Sequence, residues 1–496
     1  DKDASSAFLK YADFSHYADY FNGMEDENIV QAIPNAKASG WMEENIPLFE
    51  CPQHNFEEMY YYRWWSIRKH IKETPVGYGM TEFLVQRSYS DKYNLIACAI
   101  GHHIYESRWL HDPKYLDQII HTWYRGNDGG PMKKMDKFSS WNADAVLARY
   151  MVDGDKDYLL DMKIDLETEY QRWERTNRLK NGLYWQGDVQ DGMEESISGG
   201  RKKKYARPTI NSYMYGNAKA LSCIGILSGD EGMAMKYGMK ADTLKNLVEN
   251  ELWNTRHQFF ETMRTDSSAN VREAIGYIPW YFNLPDTTQK YEIAWKEIMD
   301  EKGFSAPYGL TTAERRHPEF RTRGVGKCEW DGAIWPFASA QTLTAMANFM
   351  NNYPQTVLSD SVYFRQMELY VESQYHRGRP YIGEYLDEVT GYWLKGDQER
   401  SRYYNHSTFN DLIITGLIGL RPRLDNTIEV NPLIPADKWD WFCLDNVLYH
   451  GHNLTILWDK NGDRYHCGKG LRIFVDGKEV GHTDTLTRIV CENVLK

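Results

Sequence analysis

Two short acidic stretches hold the residues best suited to chemistry. The first, Asp191-Gly192-Met193-Glu194-Glu195-Ser196, sets three carboxylates within five residues, flanked by Trp185, Gly187, Gly199 and Gly200. Glycines beside a polar run disfavour a helix, so this segment reads as a loop that presents acids. The second, Gly383-Glu384-Tyr385, lies far downstream, again beside aromatics. Cleaving a glycosidic bond calls for two carboxyl groups facing one sugar. The chain has 70 Asp and Glu in all, and most acidic turns are merely solvated surface. The neighbours of these two stretches set them apart.

Four further stretches join aromatics to polar groups where a helix is expected to start. They are Tyr60-Tyr61-Tyr62-Arg63-Trp64-Trp65, Ser140-Trp141-Asn142-Ala143-Asp144, Glu329-Trp330-Asp331-Gly332-Ala333-Ile334-Trp335-Pro336 and Tyr403-Tyr404-Asn405-His406-Ser407. A sugar subsite needs an aromatic platform with hydrogen-bonding groups beside it. Any one stretch reads equally well as a cap over a core, with Ser140 and Asn142 capping and Trp141 buried. Their recurrence points to a site. The candidates for its lining are Arg63, Trp64, Trp141, Asn142, Trp330, Asp331, Trp335, Tyr385 and His406.

Composition agrees with that reading without requiring it. Aromatics reach 14%, with 17 Trp and 35 Tyr, a content that suits sugar faces and also helical cores or interfaces. A net charge of −12 argues against nucleic acid or an anionic membrane surface as partner. No run of about 18 apolar residues provides a spanning helix. The 7 cysteines are scattered, with no CxxC. They form neither a disulfide scaffold nor a metal knot, and their odd number leaves at least one thiol free or paired outside the chain. Cys98 and Cys223 lie in apolar helical stretches and read as packing. No His/Cys cluster suggests a metal, and no cofactor is expected. Residues 1–6 lack both an initiator Met and an apolar targeting core, so they read as a start from which a leader or tag was removed. A periplasmic or cell-surface location is the expectation, and the oligomeric state stays open.

Helical periodicity positions these residues. It predicts twelve helices, near 56–71, 93–108, 113–124, 139–152, 156–176, 208–227, 230–252, 273–282, 286–301, 332–351, 358–374 and 404–419. Several junctions share one form, as in Met151-Val152-Asp153-Gly154-Asp155 and Leu227-Ser228-Gly229-Asp230. Gly closes one helix and Asp caps the next. Twelve helices in six hairpins make an (α/α)6 toroid whose long connections become binding loops. Residues 1–50 read as an irregular lead-in with a short helix near 14–24, and 51–421 as the barrel. Residues 422–496 read as a small antiparallel β-domain, from the alternation in Thr427-Ile428-Glu429-Val430 and the Asp476-Gly477 turn.

The chain resembles the (α/α)6 glycoside hydrolases that include family 63 α-glucosidases, family 37 trehalases and mannosylglycerate hydrolase. Three segments within residues 55–435 support this. Asp191-Gly192-Met193-Glu194 is similar to the Ser-Gly-x-Asp loop that holds the family's general acid. Glu329-Trp330-Asp331-Gly332-Ala333-Ile334-Trp335-Pro336 is similar to its Tyr-Trp-Arg-Gly-Pro-Ile-Trp segment. Gly383-Glu384-Tyr385 with Thr390-Gly391 matches its general-base segment. The resemblance implies an inverting, α-glycosidase-like enzyme with Glu194 as acid and Glu384 as base; exo or endo action stays open, and a pocket closed by hairpin loops would favour exo. This chain departs from the pattern in having Glu194 for Asp, Asp191 for Ser and Asp331 for Arg, so Asp191 or Glu195 is an alternative acid and the sugar does not transfer. Rhamnosidase-like or arabinofuranosidase-like specificity rivals the α-glucosidase-like one. A polysaccharide lyase using Tyr404, His406 and Arg402 is a second reading, and a non-catalytic sugar-binding protein a third.

Overall fold

The computed structural model describes residues 8–496; the reading of residues 1–6 as a trimmed start lies outside the described residues. Helices dominate up to about residue 420, and an antiparallel sheet closes the chain. The predicted junctions form as local chemistry dictates. Gly154 takes φ 70° at the end of helix Asn142–Asp153, and the Asp155 side chain accepts from the Tyr158 amide. After helix Pro208–Leu227, Gly229 takes φ 73°, and Asp230 caps helix Glu231–Leu247 by accepting from the Met233 amide. Proline at the first turn suits a helix start, because its missing N–H has no intrahelical partner there. Pro208 and Pro336 occupy such positions.

Six segments pack in series and return to their start. Ile100–Ser107 packs on Asn142–Asp153, which packs on Pro208–Leu227, then Ile278–Tyr281, then Pro336–Asn352, then Asn410–Leu412, which touches Ile100–Ser107 again. Close crossings use glycine. A Cβ on Gly101 would lie 2.1 Å from the Trp141 ring, and one on Gly216 would lie 2.2 Å from Phe282. The connections alternate in length. Those entering these six segments are long (69–99, 126–141, 178–207, 253–273, 299–335 and 374–409), whereas most of those leaving them are short, such as 154–155 and 228–230. The long set contains both acidic stretches and the one at 403–407, and it holds the leading residues of those at 140–144 and 329–336, which run on into the helices; the one at 60–65 lies within helix His54–Arg68.

Four helical expectations are trimmed. The stretch near 93–108 narrows to Ile100–Ser107 behind two 3₁₀ turns, Lys92–Asn94 and Ala97–Ala99, with Tyr93 and Asn94 at φ 65° and 64°. The stretch near 273–282 becomes a 3₁₀ turn, Ala274–Tyr277, and a single α-turn, Ile278–Tyr281, while 286–301 becomes a 3₁₀ run, Glu292–Ile298. Pro279 sits within this region and Asn283 takes φ 55°. Both interrupt an α-ladder. The last helix shrinks to Asn410–Leu412 and a π-helical turn, Ile413–Leu417, which leaves residues 404–409 outside it. Residues 8–50 hold more regular structure than their weak periodicity implies, with helices Ser15–Asn22 and Asn35–Asn45 and a strand, Leu48–Glu50. That strand is the edge of the C-terminal sheet. It pairs antiparallel with Trp441–Tyr449, which is followed in order by His452–Asp459, Gly470–Val475 and Lys478–Thr483. Asp476 and Gly477, at φ 49° and 81°, make the turn between the last two strands, as an Asp-Gly pair favours.

Candidate active site

The acidic loop is closed at its neck by a two-residue ladder between Trp185–Gln186 and Tyr205–Ala206. Asp191 anchors it. Its carboxylate pairs with Arg207 at 2.7 Å and accepts from Ser139 and Thr209 at 2.5 Å each, and both members of the ion pair are buried. Burying two charges is tolerable only when they are paired and hydrogen-bonded, and this pair is both. Arg323, from the 299–335 connection, donates to the Ser196 and Ile197 carbonyls at 2.8 and 2.7 Å. The Ser139 amide donates to the Gln190 carbonyl at 2.9 Å. Arg207, Thr209, Ser139 and Arg323 therefore hold the segment that presents Glu194.

Glu194 is half-buried. Burial raises its carboxyl to about 7, with Asp188 and Glu384 adding to the rise and Arg201 opposing it. Glu384 is buried. Ser401 Oγ donates to it at 3.1 Å, while Lys395 Nζ and Arg400 Nη2 each stand 3.7 Å away. Those cations offset its charge without engaging it in direct hydrogen bonds. Glu195, at φ 67°, turns toward Lys327 at 4.0 Å.

A third carboxyl group belongs here that the sequence reading did not single out. Glu82 is buried, accepts from Tyr404 Oη at 3.0 Å and Cys98 Sγ at 3.2 Å, and is electrostatically coupled to both Glu384 and Glu194. Burial above all pushes its carboxyl up to about 8. The available signal was a lone carboxylate among Met80, Phe83 and Leu84. Cys98, expected as inert packing, is thus a polar neighbour of an acid. Its thiol holds its proton, since burial and Glu82 both raise it well above the usual range. Cys328 stands within electrostatic reach of Glu194 and Glu384.

Aromatics flank these acids. Trp330 stacks on Trp335 at 4.6 Å between ring centres, and Trp335 on Tyr385 at 4.5 Å, with Lys395 Nζ 5.2 Å from the Tyr385 ring. His406 lies 4.1 Å from Tyr404 and 6.0 Å from Trp335. Its Nε2 and Trp330 Nε1 are buried and have no partner among the described residues. Burial drives the His406 imidazole well below its ordinary range, so it stays neutral.

The other sequence candidates are engaged elsewhere. Arg63 donates to Gln374 Oε1 at 2.8 Å and to Ser407 at 2.8 Å, which fixes a helix-to-loop joint. Trp64 is buried edge-on to Tyr60. Trp141 donates to Tyr281 Oη at 3.0 Å inside the series of packed helices, and Asn142 donates to Glu169 at 2.7 Å. Asp331 accepts from the Arg323 and Gly324 amides at 2.6 and 2.9 Å and so ties its own loop. Of the trio named for a lyase, Tyr404 donates to Glu82 and Arg402 pairs with Glu25 at 2.9 Å.

Residues 92–407 match the mannosylglycerate hydrolase MGH1-like glycoside hydrolase domain. The chain belongs to this family. Residues 420–482 of this MGH1-like chain match the C-terminal domain of glycosyl hydrolase family 65. A solved chain named sialidase is 94% identical over all of it, with a TM-score of 0.99, but the present chain spans only 46% of that protein. The GH63 mannosylglycerate hydrolase of Thermus thermophilus, in complex with Tris, is 12% identical. That match has a TM-score of 0.54 and covers 70% of this chain and 98% of that one. The GH78 family rhamnosidase of Bacillus sp. GL1 is 10% identical, with a TM-score of 0.59, covering 86% of this chain and 41% of that one. At these identities the last two likenesses concern the fold alone. The MGH1-like chain is thus a member of a glycoside hydrolase family.

Proposed function

We propose that this chain hydrolyses a glycosidic bond with inversion, acting from the chain end, with Glu194 as general acid and Glu384 as general base. One observation supports this above the rest. Glu194 and Glu384 come from connections nearly two hundred residues apart, yet their carboxyl groups are electrostatically coupled, and Glu194 keeps its proton to about pH 7. An acid that protonates a leaving oxygen needs such a raised value, and a water-activating base needs to stay ionised. In an inverting pair the two carboxyls stand about 6.5–9.5 Å apart, with room for the water between. Asp191 is a positioning residue in this reading, since Arg207, Ser139 and Thr209 already engage its carboxylate. The Trp330–Trp335–Tyr385 stack would take a sugar face, and Trp330 Nε1 and His406 Nε2 would meet its hydroxyls. The closed series of helices supports an (α/α)6 toroid, and long loops crowding its mouth favour exo action.

The test is turnover. Glu194→Gln and Glu384→Gln should each lower kcat/KM on a cleaved aryl glycoside by about 10²–10⁴-fold, and proton NMR should find the inverted anomer first. Wild-type rates in both variants would refute the assignment. A second reading is release of sialic acid, supported by the name of the 94% identical chain and by Lys395 and Arg400 beside Glu384, which would suit a carboxylate-bearing sugar. Including sialosides in the panel separates the two.

A further inference from the structure

The loop that presents Glu194 also holds the chain's only run of four consecutive basic residues, Arg201-Lys202-Lys203-Lys204. All four are exposed, in a chain whose net charge is −12. They border a cleft of about 490 Å³ that Trp173 and Trp185 also line. The neck of the loop fixes this arrangement. Because Trp185 pairs with Ala206, the basic run is returned over the tryptophan, and Lys204 Nζ sits 4.8 Å from the Trp185 ring. Gly187 lets the two arms approach, since a Cβ there would lie 3.0 Å from the Arg201 carbonyl. Lys137 adds a cation to the lining, against a single acid, Asp136, that is already 3.7 Å from Arg172. The cleft is therefore a positive, aromatic-backed groove. Gln190, in its lining, directly precedes the Asp191–Glu195 acidic run, and Arg201 exerts its charge on the Glu194 carboxyl.

We propose that this groove binds carboxylate- or sulfate-bearing sugar residues on the leaving-group side of the scissile bond, so that the substrate is an acidic oligosaccharide. The side rests on the reading of Glu194 as general acid, because the group that protonates the leaving oxygen stands beside the leaving sugar. Lysines and an arginine at the rim supply attraction to anions, and an indole face supplies the platform a pyranose ring needs. A nucleic acid would meet the same lysines but be repelled by the rest of a strongly negative chain.

Calorimetric binding with a Glu384→Gln chain tests this without turnover. The probes are an oligogalacturonate tetrasaccharide (carboxylates only), a heparin-derived tetrasaccharide (sulfates and carboxylates), neutral cellotetraose and a single-stranded DNA oligonucleotide. At least one acidic tetrasaccharide should bind tenfold or more tightly than cellotetraose, and which one binds identifies the anionic group. Lys202→Glu combined with Lys203→Glu should weaken that binding at least tenfold while leaving the melting temperature unchanged. Trp185→Ala should weaken it with every cation still in place. Failure of both acidic probes to bind, equal binding of cellotetraose or DNA, or indifference to the charge reversal would overturn the proposal. The two readings fail separately: wild-type turnover in the acid variants would remove the leaving-group side but not the charge- and Trp185-dependent binding, whereas loss of that binding would leave the acid–base assignment untouched.

Discussion

Glu194 can donate a proton only while it holds one, and the causes of its raised value are separable. Burial comes first, then the charges of Asp188 and Glu384, with Arg201 pulling the other way. The alkaline limb of kcat/KM should therefore fall near pH 7. Asp188→Asn removes a charge that favours the protonated form, so it should move that limb toward lower pH in a pH–rate profile. Glu82 gives a stability counterpart. Its folded value, about 8, exceeds the 4.5 of an unperturbed group. The folded state thus binds the extra proton between those values, and the chain loses stability as pH rises through that window. Glu82→Gln should flatten this decline and raise stability at pH 8 by on the order of 1 kcal/mol, read from denaturant midpoints. Asp191 separates structure from catalysis. Asp191→Asn strands a buried guanidinium and should cost about 3–5 kcal/mol of stability. If Asp191 were the acid instead, turnover would vanish with the midpoint unmoved.

At the scale of elements, what was legible in the sequence was what neighbours in the chain decide. Gly154 with Asp155, Gly229 with Asp230, and Asp476 with Gly477 each write a cap or turn in two residues, and each forms. The acidic loops stood out for the same reason. What was not legible depended on distant partners. Asp191 and Glu194 look equally acidic until Arg207, Ser139 and Thr209 are seen to claim the first. Glu82 gains meaning from Tyr404, more than three hundred residues away, and from Glu194 and Glu384, which are also distant in the chain. Arg63, Trp141 and Asn142 read as sugar ligands because aromatic and polar pairs serve helix packing and sugar binding alike. Trp141 also shows how helix crossings set the site. Its ring lies where a Cβ on Gly101 would stand. Gly101→Ala should overpack this contact and cost about 1–3 kcal/mol. Activity should fall alongside the melting temperature, because Ser140, next to Trp141, accepts from the Gly101 amide while Ser139 donates to Asp191 in the acidic loop.

At the scale of the whole molecule, the sheet and the helices are stitched together rather than joined by a tether. Strand Leu48–Glu50 precedes helix His54–Arg68 directly, yet it completes the sheet of residues 441–483. His450 donates its amide to the Val152 carbonyl at 2.7 Å, Asn431 donates to Asn351 at 2.8 Å, and Trp439 donates to Gln53 at 3.1 Å, each bond crossing from one part to the other. Phe56, Phe364 and Trp439 form one aromatic contact across the same boundary. Domains that share a strand and an apolar interface do not unfold separately, because losing one exposes the other's core. Intrinsic tryptophan fluorescence and far-ultraviolet circular dichroism should therefore report one coincident thermal transition. A chain ending at residue 421 should lose it, since Leu48–Glu50 would become an unpaired edge and the faces of Phe56 and Phe364 would meet water. Two resolved transitions in the full chain, or a cooperative melt in the shortened one, would mean that the sheet is an independent body and that the helical part carries its own stability.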